Sequence, residues 1–218
     1  MPSMSLSNIS LFDAIYTQRA IRRFKTDPVP DEAIHAILEA ATMGPSARNL
    51  QPGRFLVVRD PETKRRIGEW YQEGLDAVYE SAESRNKLGL PPPPKRMDDT
   101  TYRLGDHMAD VPVLLFACID HGNARPGKGS ILRGSNIYPA VQNLLLAARG
   151  LGLGSVLTTI YRSHEQVIKE FLGIPDNVET VALIPIGYPA DGQEFGGSKR
   201  KPVEEVSFYD RWGQKKQN

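Results

Sequence analysis

The sequence has one cysteine among 218 residues, which excludes an intramolecular disulfide and fits a reducing compartment. Cys118 sits inside the apolar run VPVLLFACID, where a small buried hydrophobe is expected in place of a reactive thiol. No apolar run approaches the ~20 residues that span a bilayer. Mean hydropathy is −0.38, so no membrane partner is expected. MPSMSLSNIS lacks a basic region followed by an apolar stretch, so no secretory signal is read there and the expected location is the cytoplasm. Net charge is only +1, from 27 basic and 26 acidic residues, so no global field favours a nucleic acid. The four histidines, His35, His107, His121 and His164, show neither H-E-x-x-H spacing nor companion cysteines, so no metal site is expected. There is no G-x-S-x-G elbow for a nucleophilic serine.

Two familiar glycine motifs fail on context. Gly122–Lys128 fits G-x-x-x-x-G-K, but Gly129 replaces the magnesium-holding Ser or Thr and the loop runs on before any helix begins. Gly150, Gly152 and Gly154 follow a helix and precede a strand, the reverse of a dinucleotide-binding loop. They are read instead as the means by which the chain leaves a buried helix and turns into a strand.

The periodicities describe one α+β domain over residues 1–218, with a central sheet. Ser10 and Asp13 have capping-box spacing for a first short helix. Ile34, Ile37, Leu38 and Ala41 mark the inner face of a second helix, closed by Gly44-Pro45. RFLVVRD reads as a strand, and residues 61–85 as a charged helix with Ile67, Trp70, Leu75 and Val78 inward. LGLPPPPKRMDD is read as non-helical because of its four prolines, and as part of a flap at about 71–108. VPVLLFACID and ETVALIPIGYP are strands, and NIYPAVQNLLLAARG is a central helix burying Ile137, Val141, Leu144, Leu145 and Ala148. Ser163 and Gln166 predict a capping box on a further helix. The extension at about 191–218 leaves Phe208, Tyr209 and Trp212 in need of a surface, for which a second subunit is a candidate.

The most informative stretch is TQRAIRRFKTDPVP. Arg19, Arg22 and Arg23 fall within five positions at a helix end, spaced so that at least two guanidinium groups can converge on one anion. With no acid–base or metal machinery elsewhere, a bound cofactor is expected to carry the chemistry.

RAIRRF followed by DPVP resembles the R-R-S-x-R-x-F…P-V signature of the nitroreductase family of FMN enzymes. ATMGPSARNLQPGRF resembles its A-P-S-x-x-N-x-Q-P-W-x-F loop, QNLLLAARGLGLG its central helix and exit, and IGYP with KRKP its last strand and C-terminal basic element. The ordered matches span about residues 12–212. The resemblance implies a nitroreductase-like fold with a central mixed β-sheet flanked by helices, in an intertwined homodimer with FMN at the interface. It also implies a ping-pong NAD(P)H oxidoreductase reducing nitroaromatics, quinones or related small-molecule electron acceptors.

Carried over by position, the cofactor-binding residues are Gln18, Arg19, Ala20, Arg22, Pro45, Ser46, Asn49, Leu157, Thr158, Thr159 and Arg200. Thr158 and Thr159 fall near flavin N5, and no side chain of the protein is assigned as catalytic. Gln18 and Ala20 replace an arginine and a serine of the pattern, and Gly53 a tryptophan. SVLTT and KRKP lean towards the branch holding iodotyrosine deiodinase and the flavin-cleaving enzyme BluB. Tyr79 and His107 are the substrate-facing candidates, with Tyr71 and Tyr102 as further flap aromatics. Alternatives on the same scaffold are a reductive dehalogenase of halogenated phenols and a non-catalytic FMN-binding protein.

Overall fold

A computed structural model describes residues 9–79, 95–122 and 134–216, except the side chains of residues 78–79 and 95–99. The helices are α1 (Leu11–Thr17), α2 (Asp31–Thr42), α3 (Pro61–Tyr79), α4 (Lys95–Asp106), α5 (Tyr138–Gly150), α6 (Glu165–Leu172) and α7 (Val203–Val206). The strands are β1 (Gly53–Val58), β2 (Val113–Asp120), β3 (Gly154–Ser155) and β4 (Val178–Gly187), in the order β1-β2-β4-β3. The expected α+β class and nitroreductase-like fold hold. In place of mixed pairing, however, the four described strands pair antiparallel, and among the described residues parallel pairing is confined to one bridge between Ala20 and Ser155. The parallel segment is the arginine strip, too briefly paired to count as a strand.

Helices cover both faces of the sheet, so β2 and β4 are buried on both sides and read as continuous apolar runs. Val113, Leu115, Ala117 and Ile119 of β2 face a core shared with α2 and α5. Leu114, Phe116 and Cys118 face a second core, shared with α3 and α6. All five predicted inner residues of the central helix are buried. On α2, Ile34, Ile37 and Ala41 are buried and Leu38 packs half-buried against them.

Two local readings change. α4 begins at Lys95, so the KRMDD of the proline segment is helical; a helix is free to start directly after proline, which is hostile to its interior. Pro91–Pro94 themselves, and most of the P-loop-like segment, lie outside the described residues. The Ser163–Gln166 box does not form. Residues Ile160–His164 make a 3-10 turn instead, in which Ser163 Oγ donates to the Ile160 carbonyl, and α6 starts at Glu165 without a side-chain cap. The Ser10 cap is present: its hydroxyl accepts from Asp13 N–H at 3.1 Å.

Candidate active site

The arginine segment is an extended strip held by its backbone from two sides. Ile21 N–H donates to the Ser155 carbonyl at 3.1 Å. Opposite, Ala190 N–H donates to the Arg23 carbonyl at 3.0 Å and Lys25 N–H to the Tyr188 carbonyl at 2.8 Å. Lys25 Nζ also pairs with Asp191 at 3.2 Å. Ile21 is the inward anchor of the strip. Gly154 makes room for it, since a Cβ there would stand 2.7 Å from Ile21 Cγ2. Side chains of an extended chain alternate, so Ala20 and Arg22 face away from that anchor. Arg19 and Ala20 are exposed, while Arg22 and Arg23 are half-buried. Gln18 ends α1, its N–H bonded to the Ala14 carbonyl at 2.9 Å.

The parallel bridge sends Ala20–Arg22 and Ser155–Leu157 off in the same direction, which sets the arginines beside residues 157–159. Leu157 and Thr159 are exposed there, but Thr158 is turned inward. Its amide and carbonyl bond reciprocally with Leu183, each at 2.9 Å, and its hydroxyl lies 3.0 Å from that of Tyr71. Of the two threonines assigned to flavin N5, Thr159 is therefore the one that reaches the open side. Tyr71 is buried as a core residue and Tyr102 packs half-buried against the same cluster.

The loop carrying Pro45, Ser46 and Asn49 is fixed elsewhere, at the N-terminal end of α5. Ala47 N–H donates to Asn136 Oδ1 at 2.8 Å, and Gly44 packs so closely that a Cβ would lie 2.6 Å from Ala140 N. Ser46 Oγ accepts from Gln51 N–H at 3.0 Å. Arg48, Asn49 and Gln51 all adopt left-handed backbone, with φ of 53°, 56° and 49°. Such conformations cost on the order of 1–3 kcal/mol each and concentrate at functional loops. The arginine strip, by contrast, is tied to the C-terminal end of α5, where Arg149 Nε donates to Thr17 Oγ1 at 2.8 Å. Ala140 and Arg149 are separated by roughly 13 Å along the helix axis at 1.5 Å per residue. Within one chain the two predicted halves of the site are thus held apart by the rigid body of α5.

Arg200 lies exposed in the C-terminal segment, its Nη1 donating to the Lys199 carbonyl at 3.3 Å. His107 is exposed and its Nδ1 is 3.2 Å from Asp110 Oδ2. Tyr79 ends α3, and its side chain lies outside the described residues.

Beside the strip opens a cavity of about 340 Å³. Arg22, Arg23 and Arg103 bring charge to it, and Phe24, Leu104 and Val111 supply apolar lining. Asp110 and His107 also line it. Behind this wall the buried Lys64 donates from Nζ to the Val111 carbonyl at 2.6 Å. Burial pulls the Lys64 ammonium below its usual range, and nearby Asp110 opposes that shift. None of Pro45, Ser46, Asn49, Leu157, Thr158 or Thr159 lines the cavity. The approach of Arg103 to the strip was not visible in the sequence, because TTYRLGD carries no motif and the convergence depends on how α4 packs.

The sequence pattern of the nitroreductase family matches residues 15–188. The chain belongs to the nitroreductase family. It is 31% identical over 210 residues to an NADH dehydrogenase of Thermus thermophilus, covering 90% of this chain and 94% of that one. It is 30% identical over 181 residues to an iodotyrosine deiodinase of Thermotoga neapolitana, covering 83% of this chain and 89% of that one. A crystal structure of oxidized iodotyrosine deiodinase bound to FMN and 3-iodo-L-tyrosine superposes with a TM-score of 0.71. That pair is 26% identical, over 93% of this chain and 99% of the other. Among the described residues no helix is long and apolar enough to cross a membrane, and no group of three potential metal ligands occurs.

Proposed function

We propose that this nitroreductase-family protein is an FMN-dependent NAD(P)H oxidoreductase that reduces nitroaromatics, quinones or related small acceptors by alternate binding of donor and acceptor. The observation that carries the reading is the arginine strip, fastened to β3 by the Ile21–Ser155 backbone bond so that Arg19 and Arg22 stand beside the open Leu157–Thr159 edge. Such an edge fits a planar ring against exposed backbone and a phosphate or an electron-rich pyrimidine against guanidinium. Arg19, Arg22 and, from the C-terminal segment, Arg200 would hold the anionic parts of FMN. Gln18 and Ala20 would contribute backbone, and Leu157, Thr158 and Thr159 would flank the ring. The flavin supplies the two-electron exchange with NAD(P)H and with the acceptor. The protein's part is to bind, to orient and to place positive charge where the reduced ring accumulates negative charge.

The separation of Pro45, Ser46 and Asn49 from the strip supports a homodimer in which the second copy presents this loop to the first. α1 carries an exposed apolar stripe of Leu11, Phe12, Ile15 and Tyr16, and Trp212 is 90% exposed. Surfaces of this kind mark interfaces. The region at about 71–108 would form the flap over the acceptor, with Tyr79 and His107 facing it.

Likeness to the deiodinase favours reductive dehalogenation as a second reading. It weakens because fully buried Leu75 and Gly105 stand, by resemblance, at the two flap positions where the deiodinase has charged residues for its amino-acid substrate. The deciding experiment is the visible spectrum of the purified protein, followed by denaturation and identification of what is released. About one FMN per chain, lost in Arg22→Ala and Arg200→Ala, supports the assignment; a colourless protein that takes up no FMN overturns it. Turnover of halogenated phenols in preference to nitroaromatics and quinones would move the reading to the dehalogenase.

A further inference from the structure

The open Leu157–Thr159 edge is tied to the sheet by a single bridge. β3 ends at Ser155, and alignment with β4 is taken up again where Thr158 pairs with Leu183. Further support comes from α3, on both sides of Thr159. Before it, the Thr158 hydroxyl lies 3.0 Å from that of Tyr71, and the two residues are only 9% and 1% exposed. After it, Gly74 sits so close to Ile160 that a Cβ would stand 2.6 Å from the Ile160 carbonyl oxygen and 2.8 Å from Ser163 Oγ. Tyr71 and Gly74 are three residues apart and therefore share one face of α3. Thr159 itself is exposed, and its carbonyl accepts from Arg162 N–H at 3.1 Å. Among the described residues its N–H has no acceptor. An unpaired donor thus stands at the open edge between two neighbours that one helix clamps.

We propose that Tyr71 and Gly74 are positioning residues of the reaction: from one face of α3 they fix the direction in which Thr159 meets the flavin ring. The proposal rests on the flavin reading, in which Thr159 flanks that ring. Both residues are buried, so each acts through the neighbour it holds and not by contact with cofactor or acceptor. A donor beside a ring whose charge changes during reduction is useful only if its direction is set beforehand. Displacing a positioned group by about 1 Å can cost on the order of 10²-fold in rate. The Tyr71–Thr158 pair suits this task because a hydroxyl pair out of water is directional and its loss leaves a buried polar group unpaired. Gly74 acts by lacking a side chain, since any Cβ would push the Ile160 carbonyl away and turn Thr159 with it.

The test compares the FMN-loaded protein with Tyr71→Phe, Thr158→Val, the two combined, and Gly74→Ala. Each variant should keep the wild-type flavin content. The single-turnover rate at which NADH or NADPH, whichever is faster with the wild type, bleaches the flavin absorbance should fall about tenfold. The visible circular dichroism of the bound flavin should change in step. The combined variant should be no slower than the slower of its parents, because either substitution alone breaks the hydroxyl pair. Ile34→Val trims a buried methyl from the core on the other face of the sheet, at a comparable cost in stability, and should leave rate and dichroism as they are. Wild-type rate and dichroism in both Tyr71→Phe and Gly74→Ala overturn the proposal, as does an equal loss of rate in Ile34→Val. Additive losses in the combined variant count against it too, since the two hydroxyls then act separately. Release of FMN by Tyr71→Phe and Thr158→Val alike would mean that the pair holds the cofactor and does not orient Thr159. A wild-type protein that takes up no FMN overturns the flavin reading, and this proposal with it.

Discussion

At the scale of single residues, the sharpest departure from expectation is Thr158. Its neighbours Leu157 and Thr159 face outward, whereas its hydroxyl is buried against that of Tyr71. The TT pair gave no hint of this, because strand-like alternation fixes only that the two threonines differ, and packing by α3 decides which one is covered. Tyr71→Phe should lower stability by about 1 kcal/mol, the usual worth of a buried hydrogen bond. Thr158→Val in the Tyr71→Phe background should cost less than it does alone, and urea unfolding of the four proteins measures the coupling. Cys118 is the opposite case, with a buried place read correctly from its apolar run. Burial pushes its thiol up from 9.0 to about 12, with Glu165 adding to the rise and Lys169 opposing it. A thiol protonated more firmly in the folded chain contributes stability that is complete below pH 9 and is lost as pH rises towards about 12. Native protein should therefore resist thiol reagents at neutral pH. Cys118→Ala should flatten the decline in thermal midpoint over that alkaline window.

Among elements, β3 and the end of β4 decide the shape of the site. The pairings Ser155 with Ile186 and Thr158 with Leu183 share one register, so Val156 falls opposite Pro185. Pro185 has no N–H to offer, so the ladder is interrupted there and resumes at Thr158. The run ETVALIPIGYP disclosed a strand and its proline, but not that the proline's missing bond would face the segment that leads into the open Leu157–Thr159 edge. Gly154 shows the same division. The glycine-rich exit from α5 was legible, and Gly152 has φ of 74° as such a turn requires. The close approach of Ile21 to Gly154 was not, because it joins segments far apart in sequence. Gly154→Ala should push Ile21 and the arginine strip outward. The expected result is a lower melting temperature together with weaker FMN retention, whereas an unchanged flavin affinity would separate the strip from the cofactor.

For the whole molecule, the exposed apolar stripe on α1, the isolated 45–51 loop and the C-terminal segment with exposed Trp212 are the surfaces that the proposed homodimer would cover. Removing residues 201–218 should give a monomer in sedimentation equilibrium that has also lost its flavin. A flavin-loaded monomer would contradict the shared site. By itself the sequence determined the α+β class, the inner faces of α2 and α5 and the two buried strands, because periodicity and residue type act locally. Only the tertiary structure decided that the two halves of the predicted site sit at opposite ends of α5 and that Arg103 joins Arg22 and Arg23 around a cavity. It also decided which threonine faces the open edge. Each of these depends on contacts between segments distant along the chain, whose relative placement is set by how the helices pack on both faces of the sheet.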